Sequence, residues 1–185
     1  MNKINSVFPT ISETMLMVID VQERLMPVIH DSHRVTHNIN TLIRGAAILG
    51  VDTLITEQYP KGLGNTIEEI DRSSNPPIFE KDCFSCLLQP NVSDFLFTKQ
   101  KKHLVLCGVE SHICVLKTAL DAESRGYTVH LVADAVSSRT PENKDLAIGR
   151  MRQSGIYIVS VEMILFMLME RAGTDQFKAI SKLIK

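Results

Sequence analysis

The most constraining feature of the sequence is a regular alternation between short apolar runs and segments with helical periodicity. Residues 14–21 form the first run, and the apolar side chains of residues 33–50 then recur every three to four positions. Further runs follow at residues 51–58, 76–81, 103–109, 127–134 and 156–161. Strands that are apolar on both faces and are separated by helices are typical of a parallel sheet covered on both sides. The alternation therefore predicts an α/β three-layer sandwich with a six-stranded parallel sheet flanked by helices.

Local signals predict where several of the helices begin and end. Thr140 is a good N-cap residue, Pro141 suits the first helical position, and Gly155 suits a helix end. A looser helix is expected over residues 89–98, and another over residues 112–125, ending at Gly126. The C-terminal tail is also expected to be helical.

Length and composition indicate one domain spanning residues 1–185. The chain is 44% hydrophobic and 22% charged, with a net charge of −1. Such a balance offers no strongly basic surface for nucleic acid or an anionic membrane. The apolar runs at residues 15–19 and 161–170 are too short to cross a bilayer, which takes about 20 residues. We therefore expect neither nucleic acid nor a membrane as a partner.

The cysteines give a clue to the cellular compartment. Four cysteines are too few and too clustered to form a disulfide scaffold, and no leader-like apolar segment begins the chain. A reducing cytoplasm is the expected location.

Three chemically active side chains stand near predicted strand ends. Asp20 lies at the end of the first run, Lys81 ends the third, and Cys114 follows the fourth. Ligands of open parallel sheets bind beyond the carboxyl ends of the strands, so we expect these groups to meet at one edge. Each also has a structural explanation: Asp20 as a backbone cap, Lys81 as a surface residue, Cys114 as a small buried hydrophobe. Other polar residues near strand ends are Glu57, Gln58, Glu80 and Asp134.

The position of Cys114 favours a nucleophile over packing. It stands near the predicted start of a helix, where the helix dipole is expected to lower the pKa of a thiol. Cys107, by contrast, falls inside a predicted strand and is interpreted as a packing residue.

The remaining cysteines and histidines give weaker signals. Cys83 and Cys86 form a single C-x-x-C pair, which lacks the second pair of a structural zinc site and fits a redox motif poorly. His33 and His37 have a spacing that can hold a metal, but they lie opposite the apolar face of their helix. We interpret them as solvated surface residues.

Five stretches in order resemble the isochorismatase-like cysteine hydrolases, and most closely their isochorismatase domain-containing branch. The matching stretches are VIDVQERLMPVI, TEQYPKGLG, FEKDCFSC, LCGVESHICVLKTALDAESRGYTVHLVADAVSSR and GRMRQSG, within residues 15–168. The resemblance implies the Rossmann-like isochorismatase fold and an Asp–Lys–Cys triad formed by Asp20, Lys81 and Cys114. It also implies homo-oligomers.

The resemblance further implies the details of the cysteine segment. A cis peptide bond of the family falls at Val109–Glu110. Backbone N–H groups near Ile113 and Cys114 would form an oxyanion hole. Leu25, Tyr59 and Phe84 are expected to form walls of the substrate pocket.

Two departures from family patterns narrow the expected activity. Nicotinamidases of this family carry metal-binding aspartate and histidine residues after the second strand, where this chain has TEQYP. True isochorismatases lack the nucleophilic cysteine, whereas this chain has Cys114. The expected function is a metal-independent cysteine hydrolase that cleaves a small amide or related C–N bond through a thioester, with no cofactor. The alternatives are a non-catalytic protein or a redox thiol protein on the same fold.

We predict that activity does not depend on a metal ion. A catalytic zinc site takes about three protein ligands, and the segment after the second strand offers Glu57, Gln58 and Tyr59 without a histidine. Dialysis against EDTA should leave the rate unchanged. Stoichiometric bound zinc, with activity lost on chelation and restored by zinc, would contradict this mechanism.

Overall fold

The sheet of the computed structural model, which describes residues 7–185, has six strands. The predicted domain of residues 1–185 thus includes six residues that lie outside the described part. The strands are β1 (Thr14–Ile19), β2 (Asp52–Gln58), β3 (Ile78–Lys81), β4 (His103–Val109), β5 (Thr128–Ser137) and β6 (Tyr157–Val159). Their order is β3-β2-β1-β4-β5-β6, and every pairing is parallel. The predicted fold class is confirmed.

Helices cover both faces of this sheet. They are α1 (Ser32–Leu49), α2 (Pro60–Leu63), α3 (Pro90–Thr98), α4 (Leu116–Ser124), α5 (Pro141–Gln153), α6 (Val161–Met167) and α7 (Asp175–Leu183). Short 3₁₀ turns lie at Met26–Val28 and Cys86–Leu88, and a π-helical turn at Ser111–Val115. Helices α1, α6 and α7 contribute to the core on one face, and α3, α4 and α5 to the core on the other. β1 is buried along its whole length, as its apolar run requires.

The predicted boundaries of α5 rest on capping residues, and these residues cap the helix in the structure. The Thr140 hydroxyl accepts a hydrogen bond from the backbone N–H of Asn143, and Pro141 occupies the first helical position. Gly155 follows the helix with a φ of 84°, a conformation in which a side chain would be strained. Sequence alone therefore locates this helix to within two residues.

Several predicted boundaries are wrong, among them the end of β6, which lies at Val159 rather than at residue 161. β1 ends at Ile19 rather than at residue 21, because Asp20 adopts a left-handed conformation with a φ of 53°. β5 continues beyond residue 134 to Ser137, because a register shift lets it stay paired with the end of β4. These differences fall at the carboxyl edge of the sheet.

Gly108 permits unusually close packing between β1 and β4. Its φ is 110°, and a Cβ atom at this position would lie 2.1 Å from the carbonyl oxygen of Ile19. Any side chain here would push β4 away from β1. The glycine therefore keeps the segment after β4 close to the end of β1.

No helix within residues 7–185 has both the length and the apolar character needed to cross a membrane.

A buried histidine pair lies on the β4 and β5 strands, apart from the carboxyl edge. The Nδ1 atom of His103 is 3.2 Å from the Nε2 atom of His130, and the His130 ring also stacks on Tyr157. The Nδ1 atom of His130 is buried without a hydrogen-bond partner among the described residues. Glu13 and Lys102 are the charged groups that act on His103.

We predict that this pair makes the fold sensitive to acid. Burial, together with His103, lowers the pKa of His130 to about 4. The unfolded chain, with a histidine pKa of about 6.5, then binds the extra proton first, so stability falls as the pH falls from about 6.5 to about 4. The loss attributable to this group is on the order of 3 kcal/mol.

Urea unfolding of His130→Asn between pH 7 and pH 4 should show a weaker pH dependence than that of the unsubstituted protein. His33→Asn, at an exposed position of α1, is the matched control. Equal slopes for His130→Asn and the unsubstituted protein would contradict the assignment.

Candidate active site

Asp20 provides a fully buried carboxylate at the end of β1. Its Oδ2 atom accepts a hydrogen bond of 2.7 Å from the Lys81 ammonium, and its Oδ1 atom accepts one of 2.7 Å from the Thr56 hydroxyl. The Asp20 backbone N–H donates to the Thr56 carbonyl oxygen at 3.1 Å. Left-handed backbone at a non-glycine residue is uncommon and clusters at functional sites. These bonds fix the carboxylate between β1, β2 and β3.

Lys81 ends β3 and lies almost entirely inside the protein. Besides Asp20, its Nζ atom donates to the Gln58 side-chain oxygen at 2.6 Å and to the Cys83 carbonyl oxygen at 3.3 Å. An ammonium group has three hydrogens, so each has an acceptor. This arrangement holds the positive charge in one place.

Cys114 lies in the π-helical turn after β4 and is 7% exposed. The Cys114 thiol is close enough to the Asp20 carboxylate and the Lys81 ammonium for their charges to act on it. Its sulfur atom also lies 3.9 Å from the side-chain oxygen of Gln58. The structure thus brings together the three side chains that the sequence placed at one edge.

The electrostatics of the three groups are strongly coupled. Burial raises the pKa of Asp20, and the Lys81 ammonium offsets part of this effect. Burial also disfavours the charged form of Lys81, but the Asp20 carboxylate outweighs it, and the pKa of Lys81 is raised. Burial and the neighbouring Asp20 carboxylate raise the pKa of the Cys114 thiol.

The expectation of a lowered thiol pKa is therefore wrong. It assumed that the helix dipole acting on Cys114 near a helix start outweighs other effects on the thiol. In the structure the thiol is buried beside a carboxylate, and both features favour its neutral form. A nucleophile in this setting needs a base that removes its proton during attack.

The segment before Cys114 contains the expected cis peptide bond, between Val109 and Glu110. The Val109 side chain is buried in the α1-side core, and the Glu110 carboxylate accepts a hydrogen bond of 2.9 Å from Arg139. The backbone N–H of Ile113 donates to the Glu110 carbonyl oxygen at 3.1 Å. The Ile113 N–H group therefore helps to close the turn, and its part in an oxyanion hole stays a prediction.

The expected pocket walls occupy three different environments. Tyr59 is 57% exposed and lines, with Lys81, a cleft of about 300 Å³. Phe84 is 52% exposed, and the Lys117 ammonium lies 5.7 Å from the centre of its ring. Leu25 packs against the core on the α1 face of the sheet, whereas Cys114 belongs to the core on the other face. Their contact with a substrate stays a prediction.

Other polar residues near strand ends have structural partners. Both carboxylate bonds of Glu57 come from Thr66, through its backbone N–H and its hydroxyl. Asp134 lies within β5 and accepts a hydrogen bond from the backbone N–H of Val161, the first residue of α6. Asp134 therefore caps a helix and does not face the thiol.

Sequence reasoning missed Thr56 as a contributor to the site, and it placed Gln58 only as a polar residue near a strand end. Thr56 and Gln58 both lie on β2, and their side chains bond to the Asp20 carboxylate and the Lys81 ammonium. The signal was their position: they are two residues apart near the carboxyl end of β2, so their side chains lie on the same face of the sheet. Polar side chains at two such positions, next to an apolar run, point toward the site.

A second thiol lies close to the same charges. Cys86 is fully buried, and its sulfur atom is 3.7 Å from the Thr56 hydroxyl oxygen. Burial and the Asp20 carboxylate raise its pKa to about 11. Cys86 is therefore a neighbour of the site whose access to solvent is even more restricted than that of Cys114.

The remaining sulfur and imidazole groups are dispersed. All four cysteines are free, and the Cys83 thiol donates to the Ser85 carbonyl oxygen. His33 and His37 are exposed on α1. Across residues 7–185, no cluster of three or more His, Cys, Asp or Glu side chains has a geometry that could hold a metal ion.

Residues 14–163 match the Isochorismatase domain family. Over 178 residues the chain is 44% identical to the secreted isochorismatase effector Isc1 of Phytophthora sojae (strain P6497), with 93% of this chain and 84% of that protein covered. It also resembles the solved structure of MAR1 ribonuclease from Caenorhabditis elegans, with a TM-score of 0.90 and 35% identity, over 96% of this chain and 92% of that one.

A more distant structural neighbour is the YcaC gene product of Escherichia coli, described as an octameric hydrolase of unknown specificity. Its TM-score is 0.89 at 20% identity, over 97% of this chain and 90% of that chain, a likeness of fold alone. The family match and the 44% identity to the Phytophthora sojae protein show that the chain belongs to the isochorismatase family. The family and its fold support a hydrolase role.

We predict that Asp20→Asn lowers the pKa of the Cys114 thiol. The substitution removes the negative charge that disfavours the thiolate and leaves the Lys81 ammonium, which favours it. Iodoacetamide labelling of Cys114, followed by peptide mass spectrometry from pH 6 to pH 11, gives the titration. Asp175→Asn on α7, whose side chain is fully exposed, is the control. An unchanged or higher thiol pKa in Asp20→Asn would contradict the electrostatic arrangement.

Proposed function

We propose that this protein is a cysteine hydrolase that cleaves a small amide or a related C–N bond through a thioester. The observation that carries the proposal is the convergence of Asp20, Lys81 and Cys114 from three parts of the chain onto one buried point. A thiol, a base and a fixed cation are the groups that nucleophilic acyl transfer requires.

The first half of the reaction forms the thioester. The Asp20 carboxylate takes the thiol proton while the Cys114 sulfur attacks the substrate carbonyl carbon. Lys81 stabilises the Asp20 carboxylate before the transfer and the negative charge that develops during it. The proton then passes from Asp20 to the leaving nitrogen as the C–N bond breaks.

The second half releases the acid. Asp20, again a carboxylate, takes a proton from water, and the resulting hydroxide attacks the thioester carbonyl. The C–S bond breaks, and the proton returns to the Cys114 sulfur. In both halves the oxyanion is proposed to receive the backbone N–H of Cys114, with that of Ile113 shared between the oxyanion and the Glu110 carbonyl oxygen.

The raised thiol pKa favours this order of events. A neutral thiol beside a carboxylate provides little thiolate before the substrate binds. The Cys114 thiol is therefore deprotonated as it attacks the bound substrate. The same feature opposes the redox alternative, since thiol oxidation and disulfide exchange proceed through thiolates. A non-catalytic role is the remaining alternative, and an activity assay separates it from the hydrolase.

A small substrate fits the site better than a polymer. The Cys114 side chain is almost completely enclosed, and the chain has 20 basic against 21 acidic residues. A phosphodiester backbone is recognised mainly by concentrated positive charge. We therefore propose a small amide as substrate, although the relative from Caenorhabditis elegans is called a ribonuclease.

Domain organisation, location and assembly belong to the same proposal. One sheet with a core on each face supports a single domain. Four free thiols favour a reducing cytoplasm, although the relative from Phytophthora sojae is called a secreted effector. We propose a homo-oligomer as well, by analogy with the octameric YcaC gene product.

We predict that Cys114→Ala abolishes hydrolysis and that Cys86→Ala retains it. Cys114 faces the Asp20 base, whereas Cys86 is fully buried beneath Thr56. A library of small amides is screened for ammonia release, and both variants are then assayed on the best substrate. Cys114→Ala should lose at least about a thousandfold in rate, and Cys86→Ala less than about tenfold.

The two variants control for each other, since each removes one buried sulfur atom. Near-normal activity in Cys114→Ala, or the loss of activity in Cys86→Ala alone, would reject Cys114 as the nucleophile. Trapping a radiolabelled acyl group on Cys114 by acid quenching tests the thioester directly.

A further inference from the structure

The side chain of Gln58 lies between the Lys81 ammonium and the Cys114 thiol. Its Oε1 atom accepts a 2.6 Å hydrogen bond from the Lys81 ammonium and lies 3.9 Å from the Cys114 sulfur atom. Its Nε2 atom donates to the Asp82 carbonyl oxygen at 3.0 Å. The amide nitrogen is therefore already engaged outside the site, and the oxygen faces inward.

A second glutamine fixes the backbone from which this carboxamide extends. The Oε1 atom of Gln22 accepts a hydrogen bond of 2.7 Å from the Gln58 backbone N–H. The Nε2 atom of Gln22 donates to the Gln58 carbonyl oxygen at 3.0 Å and to the Gly64 carbonyl oxygen at 2.7 Å. Gln22 itself is fully buried. Gln58 thus has both backbone groups held by one side chain, and its own side chain has little freedom to turn.

The neutrality of this acceptor matters for the charge balance. The Lys81 ammonium faces one buried carboxylate, that of Asp20, and its other two acceptors are the uncharged oxygens of Gln58 and Cys83. A carboxylate in place of the Gln58 amide would give two negative charges for one positive charge. It would also place a negative charge beside the Cys114 sulfur, where the thiolate must form.

We propose that Gln58 is a positioning residue of the hydrolase site, whose uncharged side-chain oxygen orients the Lys81 ammonium and packs beside the Cys114 sulfur atom without adding a negative charge. The inference rests on the proposed cysteine hydrolase function. Gln58 exchanges no proton and forms no bond with the substrate in this role. It acts through Lys81 and Cys114.

Two substitutions separate the charge of Gln58 from its shape. Gln58→Glu keeps the size and adds a negative charge, and Gln58→Met keeps the approximate size and removes the acceptor. Gln153→Glu, at an exposed position at the end of α5, is the control for an added charge. Circular dichroism and thermal melting establish that each variant is folded.

The first measurement is the pH profile of Cys114 alkylation by iodoacetamide. Gln58→Glu should move this profile to higher pH by about one unit or more, because a like charge disfavours the thiolate. Gln58→Met should not move it upward, and Gln153→Glu should leave it unchanged. A structural role alone would move the two Gln58 variants in the same direction.

The second measurement is kcat/KM on the amide found by the ammonia screen. Both Gln58 variants should lose at least about tenfold, mostly in kcat, because misdirected catalytic groups slow the chemical step. The proposal is overturned if Gln58→Glu and the unsubstituted protein have equal alkylation profiles and kcat/KM values within about twofold of each other. It is also overturned if Gln58→Glu and Gln58→Met shift the alkylation profile upward by the same amount. If Gln58→Glu does not fold, an unchanged kcat in Gln58→Met overturns it.

The two proposals fail in different ways. If no amide is hydrolysed while the alkylation profile shifts in Gln58→Glu as expected, the hydrolase function is wrong and the influence of Gln58 on the thiol stands. If hydrolysis is confirmed and neither Gln58 variant changes the profile or the rate, the positioning role is wrong and the hydrolase stands.

Discussion

A buried ion pair between Asp20 and Lys81 organises the carboxyl edge of the sheet. Both side chains are fully shielded from solvent, and the removal of water costs on the order of several kcal/mol for each ion. The protein tolerates this cost because every hydrogen of the ammonium has an acceptor and both carboxylate oxygens have donors. The pair also connects β1 to β3 across the end of β2. Loss of either partner would leave a charge unpaired in the interior, and the segment carrying Cys114 would lose the groups it packs against.

Burial, together with the Asp20 carboxylate of this pair, raises the pKa of the Cys114 thiol and favours its neutral form. In many cysteine enzymes a nearby cation or a helix start stabilises a thiolate in advance. Here the cation is already shared between Asp20 and the oxygen of Gln58, and the carboxylate lies beside the sulfur atom. The Asp20 carboxylate is therefore placed to act as a base toward the thiol, whereas the Lys81 ammonium does little to stabilise a thiolate in advance. Because a neutral thiol reacts slowly with oxidants and electrophiles, this arrangement limits unwanted modification of Cys114.

Much of the fold was predictable because apolar runs and capping residues act locally. The six strands, their parallel pairing and α5 follow from the period of the side chains and from Thr140, Pro141 and Gly155. The proximity of Asp20, Lys81 and Cys114 was predictable because the ends of parallel strands share one edge. Burial was not predictable in this way, and it reversed the expected direction of the Cys114 pKa. The same limit hid Thr56 and the role of Gln58, because a polar residue in a strand pattern shows neither its partner nor how deeply it is buried.

The order of the strands has a consequence for the behaviour of the protein in concentrated solution. The two strands at the borders of the sheet, β3 and β6, have four and three residues, whereas β5, which lies inside the sheet, has ten. A border strand exposes unpaired backbone groups to which another chain can add, and short borders offer few of them. The long apolar strands that form the core are thus kept away from neighbouring molecules. The architecture that gathers the reactive groups at one edge also limits sheet-to-sheet association and the fibrous aggregation that follows from it.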